Sequence, residues 1–204
     1  MSNRSCFGVL MALFVVLFAV LAVSPREPAT WAMENAVAVL FVIGLWATRR
    51  WFRFSRSAYL MMFSFLALHE IGAHYTYSHV PYDQTVHALL GFSPDAVMGW
   101  QRNQYDRFLH LLYGVLLVLP LSELCREWGG LRRPAAALFA FSLILASSLL
   151  YELIEWGAAV ALGDGSTAFL GTQGDPWDAQ KDMALATVGA LASLVIAALA
   201  RRIR

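Results

Sequence analysis

The chain has 204 residues, 59% hydrophobic and 14% charged, with a net charge of +1 and a mean hydropathy of +0.57. That balance is too apolar for one soluble core of this size and reads as an integral membrane protein. No basic run interleaved with aromatics lies in a soluble segment, which excludes nucleic acid as an expected partner. The two cysteines, Cys6 and Cys125, offer neither a metal-ligand spacing nor a disulfide framework.

Windows of about 18 or more mostly apolar residues are long enough to cross roughly 30 Å of hydrocarbon. They are predicted at residues 6–24, 31–48, 57–77, 105–124, 134–162 and 178–200. The first outruns the apolar core of a signal peptide, and Pro25 follows its small-residue site, so it is read as a retained helix. If six helices alternate, Arg4, Arg49, Arg50, Arg53, Arg56, Arg126, Arg132, Arg133, Arg201, Arg202 and Arg204 share one side. Only Arg26, Arg102, Arg107 and Lys181 fall on the other, and the positive-inside rule then makes both termini cytoplasmic. The expected fold is all-α: a polytopic six-helix transmembrane bundle forming one domain over residues 1–204, with no linker or internal repeat.

Each of the last four predicted spans carries titratable groups that hydrocarbon penalises. In the third, Glu70 and His74 are four apart and share a face, whereas His69 and His74 are five apart and diverge. The run HEIGAH is therefore not a zincin, whose histidines stand at i and i+4. A lone membrane histidine is commonly a hydrogen-bonded packing residue, which is the plain alternative for His69. The loop that follows, residues 78–104, holds Pro81, Pro94 and the apolar stretch VHALLGF. This stretch is suited to lie along the interface or to dip into it, and Ser93 and Pro94 spell a short helix start.

The fourth span opens NQYDRFLH, placing Asp106 and His110 four apart, where a carboxylate fixes an imidazole tautomer. Asp106 also fits an N-terminal capping box behind Asn103, and both readings stand. Glu152 and Glu155 in YELIEW lie roughly 10 to 15 Å inside the fifth helix. Two such acids repel unless a proton, a cation or a basic partner lies between them. Before the sixth span, Asp175 as N-cap, Pro176 at the first position and Asp178 at the third give a strong helix start. Asp182, one turn deeper, has no capping role, and Gly171 and Gly174 bracket a tight loop.

Carboxylates and imidazoles from four helices are expected at one depth on the outer side. They form a donor set for zinc, manganese or iron rather than a soft metal. The candidate ligands are His69, His110, Glu152, Glu155, Asp178 and Asp182; Glu70, His74 and Asp106 are the candidates for moving a proton. Arg102, Arg107 and Lys181 are placed to bind an anionic head group, or simply to neutralise the acids.

The motifs LHEIGAHYTY, RNQYDRFLH, YELIEW and GTQGDPWDAQKDM, in that order, resemble the YjdF-type bacterial inner-membrane family, a domain of unknown function, with a more distant likeness to VanZ-like membrane proteins. The resemblance implies a multi-pass protein of the bacterial inner membrane without a settled reaction, and a setting in the cell envelope. The leading expectation is metal-assisted hydrolysis or transfer on a lipid-linked or phosphorylated envelope substrate at the outer leaflet. Two other classes compete: a proton or divalent-cation transporter, and a scaffold whose buried polar pairs specify helix packing. Membrane lipids are the expected surroundings, and oligomeric state is left open.

Overall fold

The computed structural model describes residues 2–162 and 172–202. Gly171 and Arg204, two residues used in the sequence reading, lie outside them. Among the described residues there are eight helices and no strand: α1 (Asn3–Leu21), α2 (Pro28–Thr48), α3 (Arg56–His74), α4 (Tyr82–Leu90), α5 (Pro94–Met98), α6 (Tyr105–Glu127), α7 (Arg133–Leu162) and α8 (Asp178–Arg202). Helix starts follow local chemistry. Side chains of Ser2, Ser55 and Ser93 accept from the N–H groups of Ser5, Ala58 and Ala96, and Pro28 and Pro94 open α2 and α5.

Six of the helices are long, and five of these, α1, α2, α6, α7 and α8, are apolar enough as well as long enough to cross a membrane. The exception is α3, which at 19 residues is as long as α1 but includes Arg56, His69, Glu70 and His74. Its polar groups are carried inward rather than set against lipid: it packs against α1, α2 and α6, with His69 and Glu70 buried. It also stops three residues short of the predicted end, because Thr76 and Tyr77 adopt left-handed φ values of 55° and 48° that no helix accommodates. The outer faces of α1, α2, α7 and α8 display Val16, Leu40, Leu150 and Ile196, each more than half exposed, as expected for a surface against hydrocarbon.

The closest seam joins α6 to α8. A Cβ on Gly114 would lie 2.0 Å from the Ala186 carbonyl oxygen, and one on Gly189 would lie 2.2 Å from that of Leu111. Only glycine permits this backbone approach, the device by which membrane helices gain dispersion contact in place of a hydrophobic drive. The seam continues into a core where Val118, Ala140, Ile144, Ala186 and Ala190 are fully buried. Opposite it, α2 leans on α3 and leaves a gap towards α7.

Candidate functional site

At the end of the bundle where α6 and α8 begin, Asp106, His110 and Asp182 bring one donor atom each within 4.8 Å of one another. The i, i+4 spacing on α6 aims Asp106 and His110 the same way, and the glycine seam sets Asp182 of α8 against them. Glu152 of α7 approaches the same imidazole. His110 Nε2 stands 3.6 Å from Asp106 Oδ1 and 3.6 Å from Glu152 Oε1. That is too long for a hydrogen bond. It matches the spacing of atoms sharing one small cation, since metal–ligand bonds of about 2.0–2.2 Å put neighbouring ligands roughly 3–4 Å apart. Glu152 Oε1 and Asp182 Oδ1 are buried and have no hydrogen-bond partner among the described residues.

Above this group lies a network of fixed charges. Arg102 grips Asp178 with both Nη atoms, at 2.5 and 3.2 Å, and donates to the Thr172 carbonyl at 3.1 Å. Arg107 donates to Asp178 Oδ1 at 3.0 Å and to Asp175. Lys181 Nζ reaches Asp175 Oδ2 at 2.5 Å. The Lys181 ammonium, the Trp177 N–H and the Arg107 guanidinium hold the Asp175 carboxyl well below the usual carboxylate range. Asp175 is not the N-cap expected of it: α8 begins three residues later, and Asp175 Oδ1 instead accepts from the Trp177 N–H at 3.0 Å. In the segment before α6, Tyr82 at the start of α4 donates to Asp95 of α5 and accepts from the Gln104 N–H, and partial burial together with Asp95 pushes its hydroxyl up to about 12.

A second polar group meets the first from the α2 side. Tyr151 donates a short hydrogen bond to Glu34, which is almost fully buried in α2. The Tyr151 ring lies 6.4 Å from that of His110. His69 Nδ1 and the Tyr77 hydroxyl are 2.7 Å apart. The left-handed turn at Thr76 and Tyr77 makes this contact possible, folding the Tyr77 ring back over Gly72, where a Cβ would meet it at 2.6 Å. Glu34, Tyr77 and Tyr151 are absent from the candidates read from sequence. The signal for Glu34 was present, a carboxylate beside Asn35 in an otherwise apolar stretch. The predicted span began at residue 31, however, which left Glu34 near the interface; α2 begins at Pro28 and sets it almost two turns deep.

Both groups border a cavity of about 550 Å³ between α2 and α7, floored by α3 and α6. Its polar end is formed by His69, Tyr77, Asp106, His110, Tyr151 and Glu155, and almost all of the remaining lining is apolar.

Of the predicted residues, Asp106, His110, Glu152 and Asp182 come together, with Glu155 on the adjoining cavity wall. Asp106 turns towards His110, and the backbone at the start of α6 is capped instead by Asn103 Oδ1, which accepts from the Tyr105 N–H at 3.0 Å. Asp178 is engaged by the two arginines, so Arg102, Arg107 and Lys181 stand in ion pairs with Asp175 and Asp178. His69 is bound to Tyr77, on the opposite side of the cavity's polar end. His74 leaves the group altogether: its Nδ1 lies 2.8 Å from the Leu21 carbonyl, closing the last turn of α1. Glu70 is fully buried, with neither oxygen partnered among the described residues.

A family model described as "Predicted membrane protein (DUF2238)" matches residues 7–203. The chain is 36% identical over 177 residues to the inner membrane protein YjdF of Escherichia coli (strain K12), covering 86% of this chain and 81% of that protein. No solved structure matches.

Proposed function

The chain belongs to the DUF2238 family of predicted membrane proteins and is a multi-pass protein of the inner membrane, and from that premise we propose a metal-dependent hydrolase or transferase acting on a lipid-linked or phosphorylated envelope substrate. In this reading α3 crosses together with the five more apolar helices, both termini are cytoplasmic, and the site lies in the outer half of the bilayer. The arginine-rich helix ends Arg49–Arg56, Arg126–Arg133 and Arg201–Arg202 support that orientation.

The observation that carries the reading is the group of four side chains from α6, α7 and α8: Asp106, His110, Glu152 and Asp182. Its imidazole nitrogen stands at ligand spacing from two carboxylates, and its two buried carboxylate oxygens lack other partners. Mixed imidazole and carboxylate donors suit zinc, manganese or iron. A cation there supplies Lewis acidity and a water made acidic enough to attack near neutral pH. The chain's own groups do the rest. Glu155, on the cavity wall one turn from Glu152, is placed to take and return a proton. Tyr151, its hydroxyl held by Glu34, sets its ring beside that of His110 and fixes the wall against which a substrate lies. Arg102 and Arg107, paired with Asp178 where α6 and α8 begin, bring positive charge to that end of the bundle, where an anionic head group competes for it.

Element analysis of the purified full-length protein tests this reading. The expected result is stoichiometric zinc, manganese or iron in the wild type and its loss in Asp182→Asn and Glu152→Gln, with the folded protein recovered at normal yield. Absence of metal in the wild type, together with intact envelope phenotypes in Glu152→Gln, overturns it. If both variants lower abundance and nothing else, the scaffold reading takes its place. Transport is disfavoured because the far half of the cavity is lined by apolar residues such as Leu117, Leu121 and Leu124, with no titratable step.

A further inference from the structure

The cavity beside the acid and imidazole group is long, one-sided and open to the lipid-facing surface. On α6 its lining runs from Asp106 to Leu124, a rise of about 27 Å at 1.5 Å per residue. Its mouth is the gap between α2 and α7, which are bridged at the polar end by the Tyr151–Glu34 hydrogen bond. Val37, Phe41 and Leu143 line the cavity and are also 43%, 37% and 43% exposed. The rim is thus continuous with the outer faces that display Leu40 and Leu150. An occupant reaches it sideways from hydrocarbon, without crossing water.

The walls leave room for a chain. A Cβ on Gly44, midway along the α2 wall, would meet nothing within 4 Å. On the facing wall of α7, Ser147 and Ser148 keep the passage wide, and the Ser148 hydroxyl is buried without a partner among the described residues. Polarity is graded along the length: carboxylates and imidazoles gather at one end, and the rest is lined mostly by aliphatic and aromatic side chains, with Thr48, Ser147 and Ser148 the hydroxyls among them. An amphiphile has the same gradient. Length then selects among amphiphiles. An acyl chain of a bilayer lipid fills one leaflet, roughly 15 Å or half the hydrocarbon thickness, and the groove is nearly twice that.

We propose that the groove between α2 and α7 binds one hydrocarbon chain longer than a leaflet, of polyprenyl type, with its head group held at the Asp106–His110–Tyr151 end. The placing of the head group rests on the proposed function; the seating of the chain rests on the groove alone. An acid-rich end accepts a phosphate only across a cation, so the phosphate on the chain depends on the metal while the chain itself does not.

The probes are polyprenyl monophosphate, the corresponding polyprenol and phosphatidylglycerol, each carrying a photoreactive group on a chain and added to the purified full-length protein. Both polyprenyl compounds are expected to crosslink to α2 and α7 segments lining the groove, and phosphatidylglycerol to the outer faces. Gly44→Trp and Thr48→Phe, which fill the groove, should weaken binding of the two polyprenyl compounds by about tenfold or more, since excluding a few methylenes suffices for that. Val16→Trp, on the outer face of α1, should leave it unchanged. If the wild type holds metal, Glu152→Gln should lose the preference for phosphate and keep polyprenol binding; if no metal is found, retained polyprenol binding with no phosphate preference still supports the chain site. Crosslinking confined to the outer faces in the wild type overturns the proposal. So does unchanged polyprenol binding in well-folded Gly44→Trp, or a dimer in the wild type that this variant converts to monomer, which would make the groove a contact between copies of the chain.

Discussion

The α6–α8 seam and the α2–α7 side are built from similar material, apolar helices with glycine on their inner faces, and use it in opposite ways. At Gly114 and Gly189 the missing side chains let two backbones touch, and the helices form a fixed edge of the bundle. At Gly44 the missing side chain faces open space, and the helix stands away from its neighbour. Three of the four converging groups, Asp106, His110 and Asp182, project from the tight seam, whereas the wall through which a ligand would pass belongs to the loose side. Preorganised donors need rigid supports, and lateral access needs a gap. The molecule assigns the two demands to different helix pairs.

The comparison breaks most sharply at Gly114. Changing it to Ala should destabilise the protein by roughly 3 kcal/mol or abolish its recovery, because the new Cβ meets a backbone carbonyl that has nowhere to move; thermal unfolding in detergent checks this. Next in size, Asp182→Asn should weaken transition-metal binding by about tenfold or more with little change in unfolding temperature, as titration of metal-stripped protein would show. Tyr77→Phe removes the partner of His69 Nδ1 and should cost about 1 kcal/mol of stability, measured in the same unfolding assay.

A smaller effect is expected from acid. Asp175 has a carboxyl pKa depressed by Lys181 and Arg107, so its ion pairs contribute fully above the ordinary carboxylate value of about 3.9 and are lost progressively as pH falls below it. The unfolding temperature of the wild type should therefore drop more steeply below about pH 4 than that of Asp175→Asn. At the far end of the scale, Gly44→Ala should change stability by no more than about 0.5 kcal/mol, in contrast with the same substitution at Gly114. Equal effects at the two glycines would erase the distinction between seam and gap.

Much of the site was legible as residue types at helical spacing. His110, Glu152 and Asp182 stood out because hydrocarbon excludes such groups unless something holds them, and the helix period put Asp106 with His110. Spacing within one helix says nothing of the rotation of another, which is why His74 was grouped with residues it does not meet; Glu34 was passed over because the predicted span began three residues after α2 does. Tyr77 lies three residues beyond the end of α3 and owes its place to two left-handed residues that no periodicity announces. The arginines were read either as partners for an anionic head group or as groups that neutralise the acids, and it is with the acids that they pair. Their engagement with Asp175 and Asp178 depends on how the loop before α8 folds against the start of α6.

The sequence by itself determined the solvent, the class of fold and the cost of each buried charge, because composition and 3.6-residue periodicity act locally and a bilayer tolerates only backbones that satisfy themselves. Only the tertiary structure decided which polar groups share a centre and where the bundle stays open. Those outcomes turn on how closely two backbones approach, set by Gly114 and Gly189 on one side and by the standoff of α2 from α7 on the other. Interhelical distance and rotation are properties of pairs of helices and are not encoded in the pattern of either one alone.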